Sequence, residues 1–177
     1  MTCCHYYQLN TDQENIFSGD VSRLRYGPGV IRELGIEAMS FGLSRVGVFT
    51  DVRVRQIELF QEAIQSLEQS GLTPVIFDQT RVEPTNRSFQ EAAAFAIDEN
   101  LDGFISIGGG SVIDTCKAAN LYSTYPADFL EYVNAPIGEG CPVPGTLRPH
   151  IACPTTAGTG SEATGIAVFD FLEIACK

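Results

Sequence analysis

Between Arg45 and Asp170, short apolar runs alternate with longer stretches of helical periodicity, and that alternation leaves few folds open. "RVGVFT" (45–50) is too short for a helix and rich in β-branched and aromatic residues, so it predicts a buried strand ending at Asp51. "QIELFQEAIQSLEQSG" spaces Ile57, Phe60, Ile64 and Leu67 at three and four residues, which predicts a helix closed by Gly71. "TPVIFD" is the next strand, and "NRSFQEAAAFAIDEN" the next helix, with Ser88 as its expected N-cap. "DGFISI" and "HIACP" are further strands, and "IAVFD" (166–170) is expected to be one more. Strand–helix–strand repetition of this kind means a parallel sheet with helices on both faces. "APIGEGCPVPGTLRPH" reads as a Pro/Gly-rich excursion within one domain. Residues 1–20 are an expected N-terminal extension, and 21–177 the α/β domain.

Ligands of such sheets sit at the C-terminal ends of the strands. Three features follow a predicted strand directly: Asp51, Gly108–Ser111 and the loop "TTAGTGSEATG" (155–165). They are expected to converge on one edge. In "SIGGGSVIDTCKAANL" (106–121) three consecutive glycines run into a predicted helix, where each costs roughly 1 kcal/mol against alanine. A bare backbone at that junction suits an anion that must approach main-chain N–H groups at a helix N-terminus. A helix starting at Ser111 would leave that serine to cap it or to donate to a phosphate oxygen. Asp114 would then lie in the first turn and Lys117 one turn on. The loop is neither G-x-x-x-x-G-K-[ST] nor G-x-G-x-x-G. Asp51 precedes it by two strands, whereas the familiar dinucleotide fold carries its acid about 20 residues after the glycines. An acid at a strand end grips ribose hydroxyls and repels a 2′-phosphate, or it merely caps the following turn; both readings stand.

The bulk numbers narrow the partners. The net charge is −11, from 22 acidic and 11 basic residues, which excludes a row of phosphate contacts to nucleic acid. No apolar run reaches the roughly 18 residues of a membrane helix. The six cysteines show no C-x-x-C pair and are expected to be free thiols. "MTCCHYYQLNTDQEN" lacks the features of a signal or transit peptide, so the cytoplasm is the expected location. The mitochondrial matrix is the alternative, with a presequence lost.

Together, "GGGSVIDTCKA", "PTTAGTGSEAT" and the upstream "FTD" resemble the iron-dependent (group III) alcohol dehydrogenases. The resemblance runs from about Arg25 to Asp170. It implies a Rossmann-like nucleotide-binding domain of the dehydroquinate synthase-like fold. Within the family, "RYGPGVIRELG", "RVEPTNRSFQEA", "DTCKAANLY" and "DFLEYVNAPIGEG" are most similar to the hydroxyacid–oxoacid transhydrogenases. These exchange a hydride between 4-hydroxybutyrate and 2-oxoglutarate through a bound nicotinamide. The resemblance implies NAD as cofactor, with Asp51 on the adenosine ribose and Gly109, Gly110, Ser111 and Asp114 around the pyrophosphate. Thr85 stands where the family often has an asparagine near the adenosine. Thr155, Thr156, Thr159 and Thr164 line the ribose and nicotinamide side, and Ile166 replaces a cofactor-contacting asparagine.

The family's divalent metal, iron or zinc, is held by an aspartate and three histidines of an all-helical C-terminal domain. This chain has only His5 and His150, neither expected to be a ligand, and "FLEIACK" departs from the family pattern. The expectation is therefore the cofactor half alone, binding without turnover, its catalytic residues unassigned. Its implied partners are a small hydroxy acid or alcohol, and a second copy or a full-length relative. The alternative is a non-catalytic NAD-binding decoy subunit.

Overall fold

The computed structural model describes residues 23–173. A 3₁₀ turn (Val30–Glu33) leads into helix α1 (Leu34–Ser40), followed by β1 (Arg45–Phe49), α2 (Glu58–Gln69), β2 (Thr73–Phe77), α3 (Asn86–Asp98), β3 (Gly103–Gly108), α4 (Gly110–Thr124) and β4 (His150–Pro154). The four strands are parallel in the order β2-β1-β3-β4. The expected α/β fold is thus observed.

Alternating side chains divide the core into two layers, as the strand period of two requires. Val46, Val48, Ile105 and Ile107 pack with Leu34, Ala38, Phe60, Ala63 and Leu67 of α1 and α2. On the other face, Phe49, Phe77 and Phe104 pack with Ala92, Ala96, Val112, Cys116 and Ala119 of α3 and α4. The alanines let α3 and α4 sit close to the sheet, and the space is filled by phenylalanines. Phe49 lies 5.3 Å from Phe77 and 5.8 Å from Phe104, ring centre to ring centre.

Three local expectations are corrected. Thr85, not Ser88, is the N-cap of α3: its hydroxyl accepts from the Ser88 N–H while the Ser88 hydroxyl accepts from the Thr85 N–H. Ser88 is the reciprocal partner three residues on, a position whose side chain reaches back as easily as a cap reaches forward. Helix α4 starts at Gly110 rather than Ser111, with Gly109 as N-cap and no side-chain cap, so Asp114 falls past the first turn. "IAVFD" forms no strand. Its one bridge joins Asp170 to Thr85, because the polar groups that a strand would use are taken by side chains of α4.

Among the described residues no helix is long and apolar enough to cross a membrane. Cys116, Cys141 and Cys153 are free thiols, while Cys3, Cys4, Cys176, His5 and the expected 1–20 extension lie outside the described residues.

Helix α1 packs tightly against α2 at Gly35. Its N–H donates to the Ser66 hydroxyl (3.0 Å), which itself donates to the Arg32 carbonyl (2.7 Å). A β-carbon there would lie 2.7 Å from the Ser66 carbonyl carbon, and backbone cannot move aside as a side chain can. Gly35→Ala is therefore expected to lose about 1–3 kcal/mol of stability despite alanine's better helix propensity. Urea denaturation checks the sign; an unchanged or higher midpoint would refute the close packing.

Candidate functional site

Helix α3 carries the chain from β2 back past β1 to β3, so the strand order reverses beside β1. In open parallel sheets that reversal leaves a crevice above the strand ends. Asp51 follows β1 and the glycines end β3, one on each side of the crevice; the threonine loop follows β4. The Thr155 N–H donates to the Gly108 carbonyl at 2.9 Å, tying the last two strand ends together.

Space, rather than backbone conformation, demands the glycines. Gly109 has φ −80° and ψ −174°, which any residue adopts. A β-carbon on Gly108 would lie 2.5 Å from Val112 Cγ2. One on Gly109 would lie 3.3 Å from Thr156 Oγ1, and one on Gly110 would lie 3.2 Å from both Ser161 Oγ and Thr159 Cβ. The glycine loop thus faces the hydroxyls of the threonine loop across a gap that side chains would close. The Val112 and Ile113 N–H groups donate to the Gly109 carbonyl (3.0 and 3.1 Å). Those of Gly110 and Ser111 belong to the first turn, which has no acceptor within the helix. Uncapped amides of this kind, at the positive end of a helix dipole, are the groups that an anion would need.

The other expected residues are placed as follows. Asp51 is half-buried, and its Oδ1 accepts from the N–H groups of Arg53 (2.8 Å) and Val54 (3.0 Å), so it caps the turn after β1. Thr85 is 6% exposed and its hydroxyl is committed to the α3 cap. The Ser111 hydroxyl donates to the Val82 carbonyl, and so neither caps α4 nor stands free. Thr155, Thr156, Thr159 and Thr164 are all exposed. Thr159 Oγ1 lies 3.1 Å from Glu162 Oε2 and accepts from the Ser161 N–H (3.3 Å). Gly158 (φ 89°) and Gly160 (φ 71°) supply the left-handed turns between them. Asp114 is buried and ion-paired to Lys117 at 3.1 Å, and its Oδ2 accepts from the Val168 N–H (3.2 Å). Ile166 is 48% exposed; its carbonyl, like that of Thr164, accepts from Lys117.

Gly110, Ser111 and Asp114 also line a cavity of about 160 Å³ with Val82, Pro84 and Val168. That is smaller than the 300–1,000 Å³ of a typical ligand pocket, so an extended ligand would lie in the open crevice instead. The role of Lys117 and the contact of Ser111 with Val82 were not foreseen. The i, i+3 spacing of Asp114 and Lys117 was the available signal for the first; the second depends on a loop 29 residues away in sequence.

Among the described residues, no three His, Cys, Asp or Glu side chains are grouped to hold a metal ion, so these residues do not fit a metal centre. His150 opens β4, and its Nε2 is 2.9 Å from Ser106 Oγ on β3. Burial, and secondarily the Lys117 charge, push its pKa down to about 4.

A profile of the family described as iron-containing alcohol dehydrogenase matches residues 22–174. The bovine (Bos taurus) mitochondrial hydroxyacid-oxoacid transhydrogenase is 50% identical over 162 residues, which are 91% of this chain and 35% of that protein. The human (Homo sapiens) one is 46% identical over the same shares. The chain thus spans about a third of the length of these curated relatives. Among solved structures, a 1,3-propanediol oxidoreductase is 25% identical with a TM-score of 0.81, over 92% of this chain and 41% of that one. Sulfoacetaldehyde reductase from Bifidobacterium kashiwanohense, solved in complex with NAD+, shares the fold at 24% identity and a TM-score of 0.80, over 92% of this chain and 42% of its own.

His150 also gives stability a dependence on pH. Below about pH 6.5 the unfolded chain takes up a proton at this imidazole, while the folded chain resists until about pH 4. The contribution is whole above 6.5 and is lost as pH falls towards 4, by up to about 1.4 kcal/mol per pH unit. The stability of the natural chain relative to His150→Asn is therefore expected to decline across that window. A difference independent of pH would place the imidazole in water.

Proposed function

The chain belongs to the iron-containing alcohol dehydrogenase family, and from that premise we propose that residues 21–177 form the NAD-binding part of an oxidoreductase that moves a hydride between a hydroxy acid and an oxo acid. The observation that carries this reading is the gap between the bare Gly109–Gly110 backbone and Thr156, Thr159 and Ser161 at an uncapped helix N-terminus. The identity to transhydrogenases supports the reaction class, and the NAD+ complex of the sulfoacetaldehyde reductase supports the cofactor. The mitochondrial names of the relatives favour the matrix over the cytoplasm.

NAD supplies the hydride-accepting carbon when bound; this chain's residues bind and orient. The Gly110 and Ser111 amides hold the pyrophosphate without a basic side chain. The threonine hydroxyls face the sugar and nicotinamide side. Asp51 keeps one carboxylate oxygen on its turn and offers the other to ribose hydroxyls; its negative charge opposes a 2′-phosphate. Residues holding the metal, the substrate (a small hydroxy acid such as 4-hydroxybutyrate, or an alcohol) and a pairing copy or full-length relative complete the proposal.

Calorimetric titration of the full chain is expected to show NAD and ADP-ribose binding, with NADP weaker. Gly110→Val, whose branched side chain enters the gap, is expected to abolish that binding while the far-ultraviolet circular dichroism stays nearly unchanged. Retained binding would remove the glycine loop from the site. Asp51→Ser still offers the turn an acceptor but no charge, so it is expected to narrow the NAD–NADP difference by roughly tenfold or more, a few kcal/mol of like-charge repulsion being relieved. Equal affinity of the natural chain for both cofactors would defeat the role given to Asp51.

A further inference from the structure

We propose that Lys117 is a positioning residue. Its ammonium, neutralised by Asp114, takes the place of a missing neighbouring strand and fixes the backbone after the threonine loop, thereby setting the gap that faces the glycines. The functional half of this inference rests on the dinucleotide reading above.

Lys117 Nζ donates to the Thr164 carbonyl (3.1 Å) and to the Ile166 carbonyl, and it forms an ion pair with Asp114 Oδ1 (3.1 Å), a buried oxygen that has no hydrogen-bond partner. The other Asp114 oxygen accepts from the Val168 N–H (3.2 Å). Thr164, Ile166 and Val168 stand two apart, and in extended backbone alternate residues turn their polar groups to the same edge. That edge is the one a sheet neighbour would pair with, and here an ion pair on α4 supplies both its donors and its acceptor. The side chains of Lys117 and Asp114 are only 17% and 8% exposed, so water competes poorly for these groups.

The consequence reaches the crevice. The loop from Thr155 is pinned at its start by the bond to the Gly108 carbonyl and at its end by Lys117. Between them lie Gly158 and Gly160, left-handed and conformationally free. With Lys117 released, the next fixed points are the Val168–Asp114 bond and the Asp170 bridge to Thr85, and the backbone around Gly158 and Gly160 is free to carry Thr156 and Thr159 away from Gly109 and Gly110. Lys117 is thereby occupied, and it does not serve as a phosphate ligand although it follows a glycine loop.

The test pairs two readouts on the full chain: amide hydrogen exchange at Val168 and ADP-ribose affinity by calorimetry. Lys117→Met is expected to speed Val168 exchange at least tenfold and to weaken ADP-ribose at least tenfold together. Asp114→Asn keeps an oxygen for the Val168 N–H but removes the charge, so it is expected to shift both readouts the same way by less. It serves in place of Lys117→Met if that variant does not fold. Weaker binding with unchanged exchange would make Lys117 a direct ligand, and faster exchange with unchanged affinity would make it purely structural. Either result overturns the inference, as does no change in both. If the natural chain binds no ADP-ribose, the dinucleotide reading itself falls and this inference with it.

Discussion

Strand β3 is buried along its whole length, and every other feature of the chain is arranged around that fact. Phe104 serves one layer and Ile105 and Ile107 the other, so helices must cover both faces. The same burial forces the strand to give up its backbone to neighbours on both edges, β1 on one side and β4 on the other. What remains free is its C-terminal end. There the glycines turn the chain directly into α4, and the Gly110 and Ser111 amides have no acceptor within the helix. Close packing of the central strand and an open helix end are two results of one geometry.

The architecture was legible because it is written in periodicity. Strands of five or six residues fell on the short apolar runs, and helices of twelve to fifteen on the longer stretches between them. What was not legible depended on partners distant in sequence. "IAVFD" has the composition of a strand, yet Lys117 and Asp114 claim its polar groups from about 50 residues away. Thr85 and Ser88 are both good caps, and the backbone on either side of Thr85 is bonded to Asp170 from about 85 residues away. At the site, the glycine and threonine loops were identified from their composition, their adjacency to strand ends and their family motifs. Their mutual approach, side chain to bare backbone, needed the fold.

For a chain of net charge −11, the proposed binding of an anion presents an electrostatic problem, and several carboxylates around the strand ends are paired or hydrogen-bonded. Asp114 is joined to Lys117, and Arg55 to Asp78 near the end of β2. Asp51 turns one oxygen onto two backbone N–H groups. The groups that the proposal sets against the pyrophosphate are therefore dipoles: helix amides and threonine hydroxyls. Dipoles of this kind are fixed by the backbone and need no reorganisation when an anion arrives, so their strength depends on how rigidly the loops are held.

Rigidity is thus where the positions far from the crevice matter. On the α4 side, the loop after β4 has only an edge strand behind it, and β4 is partly exposed where β3 is fully buried. A sheet edge gives a loop one well-anchored end. The second end is held by a cation largely out of water, whose release would leave a buried carboxylate without its partner. Such a pair adds little to stability compared with apolar side chains of the same volume, but it fixes backbone at three alternate residues, which apolar packing cannot do. That difference between filling space and fixing backbone accounts for a largely shielded lysine in a helix whose buried residues include Val112, Ile113, Cys116, Ala118 and Ala119.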